Sequence, residues 1–326
     1  MILVGVGIKC ALCDANIYMM KFFITNVLIL LSLVSHAQNH GIFDEDVKIV
    51  KLDSSINSPY KEINPVYSEK NDWLFFGRKA HPENAGGSTD MEDVWFASFD
   101  SYGRSEVSNQ LGNINNIGPN LVCSFREVNN SSILLLGNAY KGSGKMISGL
   151  SYTFFMYDGW SDPINLKIKD FYNISNKIDA TISSSGNILI MSIERADSHG
   201  GRDLYLSRKM ENDKWSAPIN LGNINTSLEE SSPYLSNDGK TLFFATNGRN
   251  GFGGMDIYAC HRLDESWTNW TEPENLGAPV NTDKDEAYFS INSSTTKAFF
   301  TRGSGEEVDI FGAFFSKDHT ASIQQK

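Results

Sequence analysis

The feature that most constrains the fold of this chain is an internal repeat with a period of 55 residues. The motif Trp-x-x-Pro-x-Asn-Leu begins at Trp160, Trp215 and Trp270, and its leucines follow Leu111 at three successive steps of 55. Units of this size cannot bury an apolar face alone, so they pack against their neighbours in a repeat architecture. The spacing therefore predicts a chain of similar units that share their cores.

Each unit is expected to form four short strands. In the sharpest unit, an Asp238-Gly239 turn separates the Pro-Tyr-Leu-Ser segment from the apolar run that starts at Leu242, and Asp256 opens the next strand. Asp-Gly between apolar runs is a strong hairpin signal. The proline of the Trp motif fits an outer edge strand, because it cannot donate to a central ladder. Four antiparallel strands per period predict one blade of a β-propeller.

The two ends of the chain supply the closure of the ring. The fifth unit, Ala287 to Phe315, has three of the four expected strands, and the segment Val47 to Leu52 matches the missing one. Closure in this way removes a free sheet edge. We therefore predict an all-β, five-bladed propeller of four-stranded antiparallel blades, closed by the N-terminal strand completing the last blade.

The N-terminus has the pattern of a secretory signal. Lys21 precedes an apolar run that ends in Ser35-His36-Ala37, a small-x-small cleavage site, and Met19 or Met20 is an alternative start. Gln38 rather than cysteine follows the site, which argues against a lipoprotein. The predicted organisation is a signal peptide over 1–37, a propeller over 42–316 and a polar tail over 317–326. The chain is expected to be secreted or periplasmic, with no membrane span after cleavage.

Composition excludes one class of partner. The net charge is −11 and no run of Lys or Arg occurs, so duplex nucleic acid is not expected to bind. Cys123 and Cys260 fall in different units and are expected to be separate buried thiols. The acids that open the third strands, such as Asp203 and Asp256, stand alone in their loops, whereas calcium needs several carboxylates. No metal or other cofactor is predicted, and these acids are expected to cap turns.

The string S-x-D-G-K-T-L-F-F, followed by G-x-G-G-M-D-I-Y and the Trp motif, resembles the TolB-type, WD-like propeller repeat of exported bacterial proteins. The match is specific in the unit from Glu230 and poor in the second unit. The resemblance implies an exported binding or scaffolding role in the cell envelope, with a protein, peptide or glycan as partner, and it carries no catalytic residues.

The blade order predicts that the loops between second and third strands share one face with the starts of the first strands, which line the channel. Carboxylates and guanidiniums recur there, and they could either hold a polar ligand or pair with one another. The candidate ligand-binding residues at this channel mouth are Glu62, Arg78, Asp179, Arg195, Glu230, Arg249, Glu286 and Arg302.

The repeat is least regular in the first two units, and a partner site is expected where it breaks. The first long loop runs from Lys79 to Glu92, and the second unit has its own distinct loop. The candidate partner-loop residues are His81, Glu83 and Asp90, with Tyr140 and Lys141 from the second unit. Trp160, Trp215 and Trp270 are interpreted as packing between blades rather than stacking on sugars.

Two functions remain open at this point. Because the charged residues recur in nearly every unit, the sequence favours a non-catalytic binding or scaffolding module over an enzyme. The alternative is a glycan-active enzyme, which needs two or three channel carboxylates from different blades that are unlike their repeat equivalents.

Overall fold

The computed structural model describes residues 47–99, 105–109, 111–128, 131–157 and 159–315. Strand β1 (Lys48–Lys51) precedes the first complete blade, which contains β2 (Glu62–Ser68), β3 (Trp73–Arg78), β4 (Asp93–Phe99) and β5 (Ser105–Ser108). The four strands of this blade pair in chain order, as the hairpin signals predict.

The next three blades repeat that order. Blade two contains β6 (Leu121–Val128), β7 (Ser131–Tyr140), β8 (Met146–Met156), β9 (Gly159–Trp160) and β10 (Ile164–Asn165), and a short β11 (Lys167–Ile168) follows it. Blade three contains β12 (Asp179–Ile182), β13 (Ile188–Ile193) and β14 (Asp203–Arg208), then β15 (Lys214–Trp215), which pairs with β11, and β16 (Ile219–Asn220). Blade four contains β17 (Glu230–Leu235), β18 (Thr241–Thr246), β19 (Asp256–His261) and β20 (Glu274–Asn275).

The last blade joins both ends of the domain. It contains β21 (Asp285–Ile291), β22 (Lys297–Ser304) and β23 (Glu307–Phe314), and β1 pairs antiparallel with β23, Lys48 opposite Phe314. The five-bladed fold and its closure by the N-terminal strand are confirmed. Four short 3₁₀ segments lie in connections: Gly87–Thr89, Gly142–Gly144, Glu211–Asp213 and Gly222–Ile224.

Each core cluster lies between two neighbouring blades. Side chains of a strand alternate between its two faces, so Phe75 packs toward Phe125 of blade two while Leu74 and Phe76 pack toward Phe299 of blade five. Trp270 packs against Ile190 of blade three in the same manner. Each blade therefore buries apolar side chains against both of its neighbours.

An asparagine clamp repeats around the ring. Asn57 Nδ2 donates to the carbonyl of Ile310 at 2.9 Å, and the Ile310 amide donates back to Asn57 Oδ1 at 2.7 Å. Each clamp ties the connection before a first strand to the third strand beside it, so it fixes where the next blade begins. The equivalent clamps join Asn115 to Val94, Asn225 to Leu204 and Asn281 to Ile257.

The three tryptophans of the repeat motif are packing residues. Trp215 and Trp270 are buried, and Trp160 packs edge-on against Phe75 of the preceding blade at 5.7 Å between ring centroids. Trp215 packs in the cluster between blades two and three, and Trp270 in the cluster between blades three and four, so the interpretation of inter-blade packing is confirmed.

Both cysteines of the domain are free thiols. Cys260 is buried in the core between blades three and four, and Cys123 lies at the narrow neck of the channel. Within the described residues, no helix is long and apolar enough to cross a bilayer. The predicted signal peptide (1–37) and polar tail (317–326) lie outside those residues.

Candidate active site

A cavity of about 570 Å³ opens on the face where the long loops meet the first strands. Blades one, two, three and five contribute to its wall. Glu92, Asp179 and Asp285 are its carboxyl groups, Lys61, Lys79 and Lys177 its cations, and Tyr288 its aromatic residue.

The far side of the channel is crossed by Arg126. Its Nε donates to the carbonyl of Ile182 in blade three at 2.8 Å, and Nη2 donates to the carbonyl of Leu235 in blade four at 2.5 Å. One guanidinium from blade two thereby links three inner strands at the face opposite the cavity.

Three of the predicted channel acids are buried structural groups. Glu62 accepts a 2.9 Å hydrogen bond from Arg78 Nε, and Glu286 accepts one of 2.8 Å from Arg302 Nε. Glu230 has Thr246 where the other two have arginine. All three acids are inaccessible to solvent and none lines the cavity, so they do not form the predicted ligand site.

Arg78 and Arg302 each bond a backbone carbonyl as well as a carboxylate. Arg78 Nη2 donates to the carbonyl of Ile56 at 2.8 Å, and Arg302 Nη2 donates to that of Val280 at 2.8 Å. Burial raises the pKa of Glu62 to about 7, although Ser58 and Arg78 act in the opposite direction. The pairs therefore hold the start of each first strand in place.

Arg195 and Arg249 lie beyond the ends of their strands, because β13 ends at Ile193 and β18 at Thr246. Arg195 contacts Asp197 at 3.2 Å and stacks on Tyr172. Arg249 pairs with the exposed Glu272 and donates to the carbonyl of Asn223. The expectation that they meet the channel acids is wrong, since the loops carry them outward.

Asp179 does line the cavity, for a reason that the sequence alignment missed. In blade one, the same second-strand residue, Arg78, lies opposite both Glu62 and Asp93. In blade three, the residue opposite Asp203 is Ile193, but the residue opposite Asp179 is Ser192, one position earlier. The true counterpart of Glu62 is thus Ile178. A one-residue shift turns a side chain to the other face of a strand, so Asp179 alone points where the other blades have Ile63, Leu121, Ser231 and Ala287.

Glu92 is the second carboxyl without a repeat counterpart. It immediately precedes the acid that opens β4, and the equivalent positions are Ser148, Arg202, Met255 and Val308. Glu92 was predicted as part of an enlarged loop; alignment on the third-strand aspartates would have singled it out.

The surroundings of Glu92 favour its protonated form. The residue is 2% exposed, Oε1 has no hydrogen-bond partner among the described residues, and the nearest cation is Lys79 Nζ at 3.8 Å. Burial raises the pKa of Glu92 to about 8; Lys79 lowers it, while Asp179 and two nearby aspartates raise it further. A carboxylic acid with such a pKa holds its proton at neutral pH.

Asp179 has the opposite surroundings. Arg202 Nη1 donates to Oδ2 at 2.7 Å, and the Ser232 amide donates to the same oxygen at 3.3 Å. The two donors on Oδ2 fix the orientation of the Asp179 side chain. Both of these hydrogen bonds go to Oδ2 rather than to Oδ1.

Tyr288 enters the cavity from a β-bulge in β21. The φ angle of Tyr288 is 56°. Asn64 and Ser232, at the matching bulges of blades one and four, have similar φ angles of 54° and 53°. A bulky residue in this region is strained, and a bulge re-aims its side chain. This tyrosine was not predicted from the sequence.

The predicted partner-loop residues lie outside the cavity. His81 packs edge-on between Tyr60 and Trp95, with 4.8 Å between centroids in each case, and burial lowers its pKa. Asp90 is buried and accepts a 3.0 Å bond from the Gly86 amide, which braces the loop that carries Glu92.

The remaining three partner-loop residues are placed differently. Tyr140 donates to the Ile114 carbonyl at 2.8 Å, whereas Glu83 and Lys141 are exposed.

The aspartates that open the third strands act as turn caps. Asp93 accepts the Ala85 amide at 2.6 Å, Asp203 the His199 amide at 2.8 Å and Asp256 the Phe252 amide at 2.5 Å. In the described part of the chain, no group of three His, Cys, Asp or Glu side chains is arranged to hold a metal ion.

No protein-family model matches the sequence, and a search of curated proteins finds no match either. Solved structures do match. A GH43_12 retrieved from capybara gut metagenome has 11% identity and a TM-score of 0.52, covering 82% of this chain and 56% of that one, so the present chain spans little more than half of it. Zg3597, a family 117 glycoside hydrolase of the marine bacterium Zobellia galactanivorans, has 12% identity and a TM-score of 0.50, covering 85% and 93%.

At these identities the likeness establishes the fold. Both matched structures are glycoside hydrolases, and this overturns the sequence-based interpretation of a non-catalytic binding or scaffolding module. The reasoning behind that interpretation fails at Glu92 and Asp179, because two cavity acids have no equivalents in the other repeats.

Proposed function

We propose that the chain is a glycan-active enzyme that hydrolyses a glycosidic bond in the cavity between Glu92 and Asp179. One observation carries the proposal: two carboxyl groups from blades one and three, neither with a repeat counterpart, share the cavity in opposite surroundings. Pairs of acids whose environments separate their protonation are the pattern of acid–base catalysis. That the matched solved structures are glycoside hydrolases supports the same reaction class.

Glu92 fits the general acid. Cleavage requires a proton on the leaving oxygen, and a carboxyl group with a pKa near 8 still carries one at neutral pH. Because Oε1 is unpartnered and buried in the cavity wall, the bond to a substrate oxygen would satisfy it.

Asp179 fits the carboxylate partner. Arg202 orients it through Oδ2 and leaves Oδ1 toward the cavity, where it assists attack at the anomeric carbon. Arg202 is itself held by Glu229 at 2.6 Å, so the acceptor is fixed before substrate arrives. Tyr288 contributes an apolar ring to the same wall.

The test is turnover on a panel of aryl glycosides and oligosaccharides by the mature chain and by Glu92→Gln and Asp179→Asn. Loss of a general acid typically lowers the rate by about 10² to 10⁴, and we expect a loss of this order for both variants. Glu83→Gln is the matched control, because it removes an exposed carboxylate from the same loop.

Circular dichroism establishes that the variants are folded. Equal turnover by wild type and Glu92→Gln, or no cleavage of any member of the panel by the wild type, would overturn the proposal.

The TolB-type resemblance and the export of the chain remain proposals. A cleaved signal peptide would place such an enzyme where extracellular or envelope glycans are its substrates. N-terminal sequencing of the protein purified from its host tests this, and an N-terminus at Gln38 is the expected result.

A further inference from the structure

The wall of the cavity carries three lysines beside the carboxyl groups of Glu92, Asp179 and Asp285. Lys61, Lys79 and Lys177 all line it, although the chain has 39 acids against 28 Lys and Arg. They come from three separate connections: Lys61 precedes β2, Lys79 follows β3 and Lys177 lies two residues before β12. Closure of the ring brings these distant loops to one mouth.

The repeat makes this arrangement specific to one side. Lys61 and Lys177 occupy the same repeat position, the residue before Glu62 or its counterpart Ile178, and blades four and five have Glu229 and Asp285 there. The cationic positions therefore lie on the side of blades one and three, next to Glu92 and Asp179. Glu229 of blade four pairs with Arg202. Asp285 of blade five accepts the Met255 amide at 2.9 Å through Oδ1 and keeps its negative charge on the opposite side of the cavity wall.

These ammonium groups are not consumed by ion pairs. Lys61 Nζ donates to the Gly305 carbonyl at 2.6 Å, which leaves two N–H groups and the whole charge. Within the described residues, Lys61 and Lys177 have no carboxylate within 4 Å. Lys79 has Glu92 at 3.8 Å as its neighbour, and that carboxyl group is protonated at neutral pH.

Beside these cations the wall is apolar. Met91 and Ile147 are exposed to the cavity, with Met146 and Leu121 beside them. A ligand here is thus surrounded by point charges on one side and by aliphatic and thioether surface on the other. Flexible ammonium groups suit an anion of variable position, because each is a compact charge with three donors.

We propose that the substrate is an anionic glycan, whose carboxylate or sulfate group is bound by Lys61, Lys79 and Lys177 beside the bond that is cleaved. The inference rests on the proposed glycan-cleaving function, since it names the substrate class of the same cavity. Burying an anion in this pocket without the lysines would leave it uncompensated.

The first experiment measures binding, so that it does not depend on turnover. Tetragalacturonate and a sulfated galactan oligosaccharide are titrated calorimetrically into Glu92→Gln, alongside neutral galactotetraose and the desulfated oligosaccharide. We expect at least one anionic probe to bind about tenfold or more tightly than its neutral counterpart, a difference of ~1.4 kcal/mol. Raising the salt from 0.05 to 0.5 M should weaken only the anionic probe, because salt screens exposed charges.

The second experiment compares Lys61→Gln/Lys177→Gln with Lys240→Gln, an exposed lysine in a turn of blade four outside the cavity. The double variant should lose about tenfold in affinity for the anionic probe, as expected for two lost charges near a partly buried anion, and keep its affinity for neutral sugars. The control should lose nothing.

The outcomes separate the two proposals. Tighter binding of the carboxylate probe identifies a uronate, and tighter binding of the sulfate probe identifies a sulfated sugar. Equal or weaker binding of both anionic probes, or equal losses on charged and neutral sugars, overturns the anionic substrate. In that case cleavage of neutral glycans that depends on Glu92 leaves the enzymatic proposal intact.

Discussion

Gly77 lies directly beneath the carboxyl group of Glu92. A Cβ added at Gly77 would overlap Oε1 and come within 3.0 Å of the carboxyl carbon of Glu92. The equivalent positions in blades three, four and five have Ser192, Ala245 and Thr301, and blade two has Gly137, so the repeat accepts a small side chain here. The missing side chain of blade one creates the space that Glu92 fills.

Gly77→Ala should therefore displace Glu92 without unfolding the ring. We expect turnover to fall by about tenfold to a hundredfold, because displacing a catalytic group by ~1 Å can lower the rate by that much. The melting temperature should change little. Gly142→Ala is the control, since a Cβ there meets open space. A variant with full activity would show that the position of Glu92 is unimportant.

The pKa of Glu92 also predicts how stability depends on pH. In the unfolded chain the Glu92 carboxyl group has its ordinary pKa of 4.5, whereas in the folded state it keeps its proton up to about pH 8. The free energy of unfolding therefore falls as the pH rises from about 4.5 to about 8. Glu62 and Asp93, each with a pKa near 7, act in the same sense. Glu92→Gln should flatten the upper part of this decline and be the more stable protein at pH 9. Urea titrations at several pH values measure it, and parallel curves for both proteins would contradict it.

Lys79 should set the alkaline limit of activity. Its charge lowers the pKa of Glu92, so Lys79→Gln should move the alkaline limb of kcat/KM from near pH 8 to higher pH. An uncharged substrate is used, so that loss of an anion contact does not enter the profile. Lys240→Gln should leave the limb in place, and a shift to lower pH would be the wrong sign.

Removing one partner of the buried pair Glu62 and Arg78 should destabilise the fold. At pH 9, above the pKa of about 7 that Glu62 has beside Arg78, Arg78→Met removes the cation from a buried carboxyl group, and breaking a buried pair in this way typically costs about 3–5 kcal/mol. Adding Glu62→Gln should recover part of that loss, because the uncompensated charge is gone. Guanidinium unfolding of the two variants measures both values, and a double variant less stable than Arg78→Met would contradict the charge argument.

The asparagine clamps predict that loss of a clamping asparagine costs more stability than loss of an exposed one. Asn57→Ala should lower the free energy of unfolding by about 1–3 kcal/mol, since it removes the Asn57 Oδ1 acceptor of the buried Ile310 amide and one of the two donors to the Ile310 carbonyl. Asn225→Ala should cost a similar amount, whereas Asn250→Ala, whose exposed side chain makes no hydrogen bond within the described residues, should cost little. Urea unfolding ranks the three.

The repeat made the fold predictable because a fixed period determines strand order, and the unmatched strand at each end determines the number of blades. The same regularity hid the site. Asp179 was grouped with Glu62 because both lie at the start of a first strand, and only the pairing of Ser192 with Asp179 reveals the shift of one residue. Tyr288 depends on a bulge, which a sequence pattern with period two does not disclose. Glu92 could have been found from sequence, by asking which position changes its chemistry from blade to blade.

The pairing of β1 with β23 also bears on how the protein is made. Lys48 and Phe314 are partners in the ladder, yet nearly the whole domain is synthesised between them. Contacts so distant in sequence form late and slow folding. β1 is made first and its partner β23 last, so we expect β1 to stay unpaired until β23 has been synthesised. An unpaired strand edge invites pairing with another copy of the chain, and this interval is the one in which we expect such pairing.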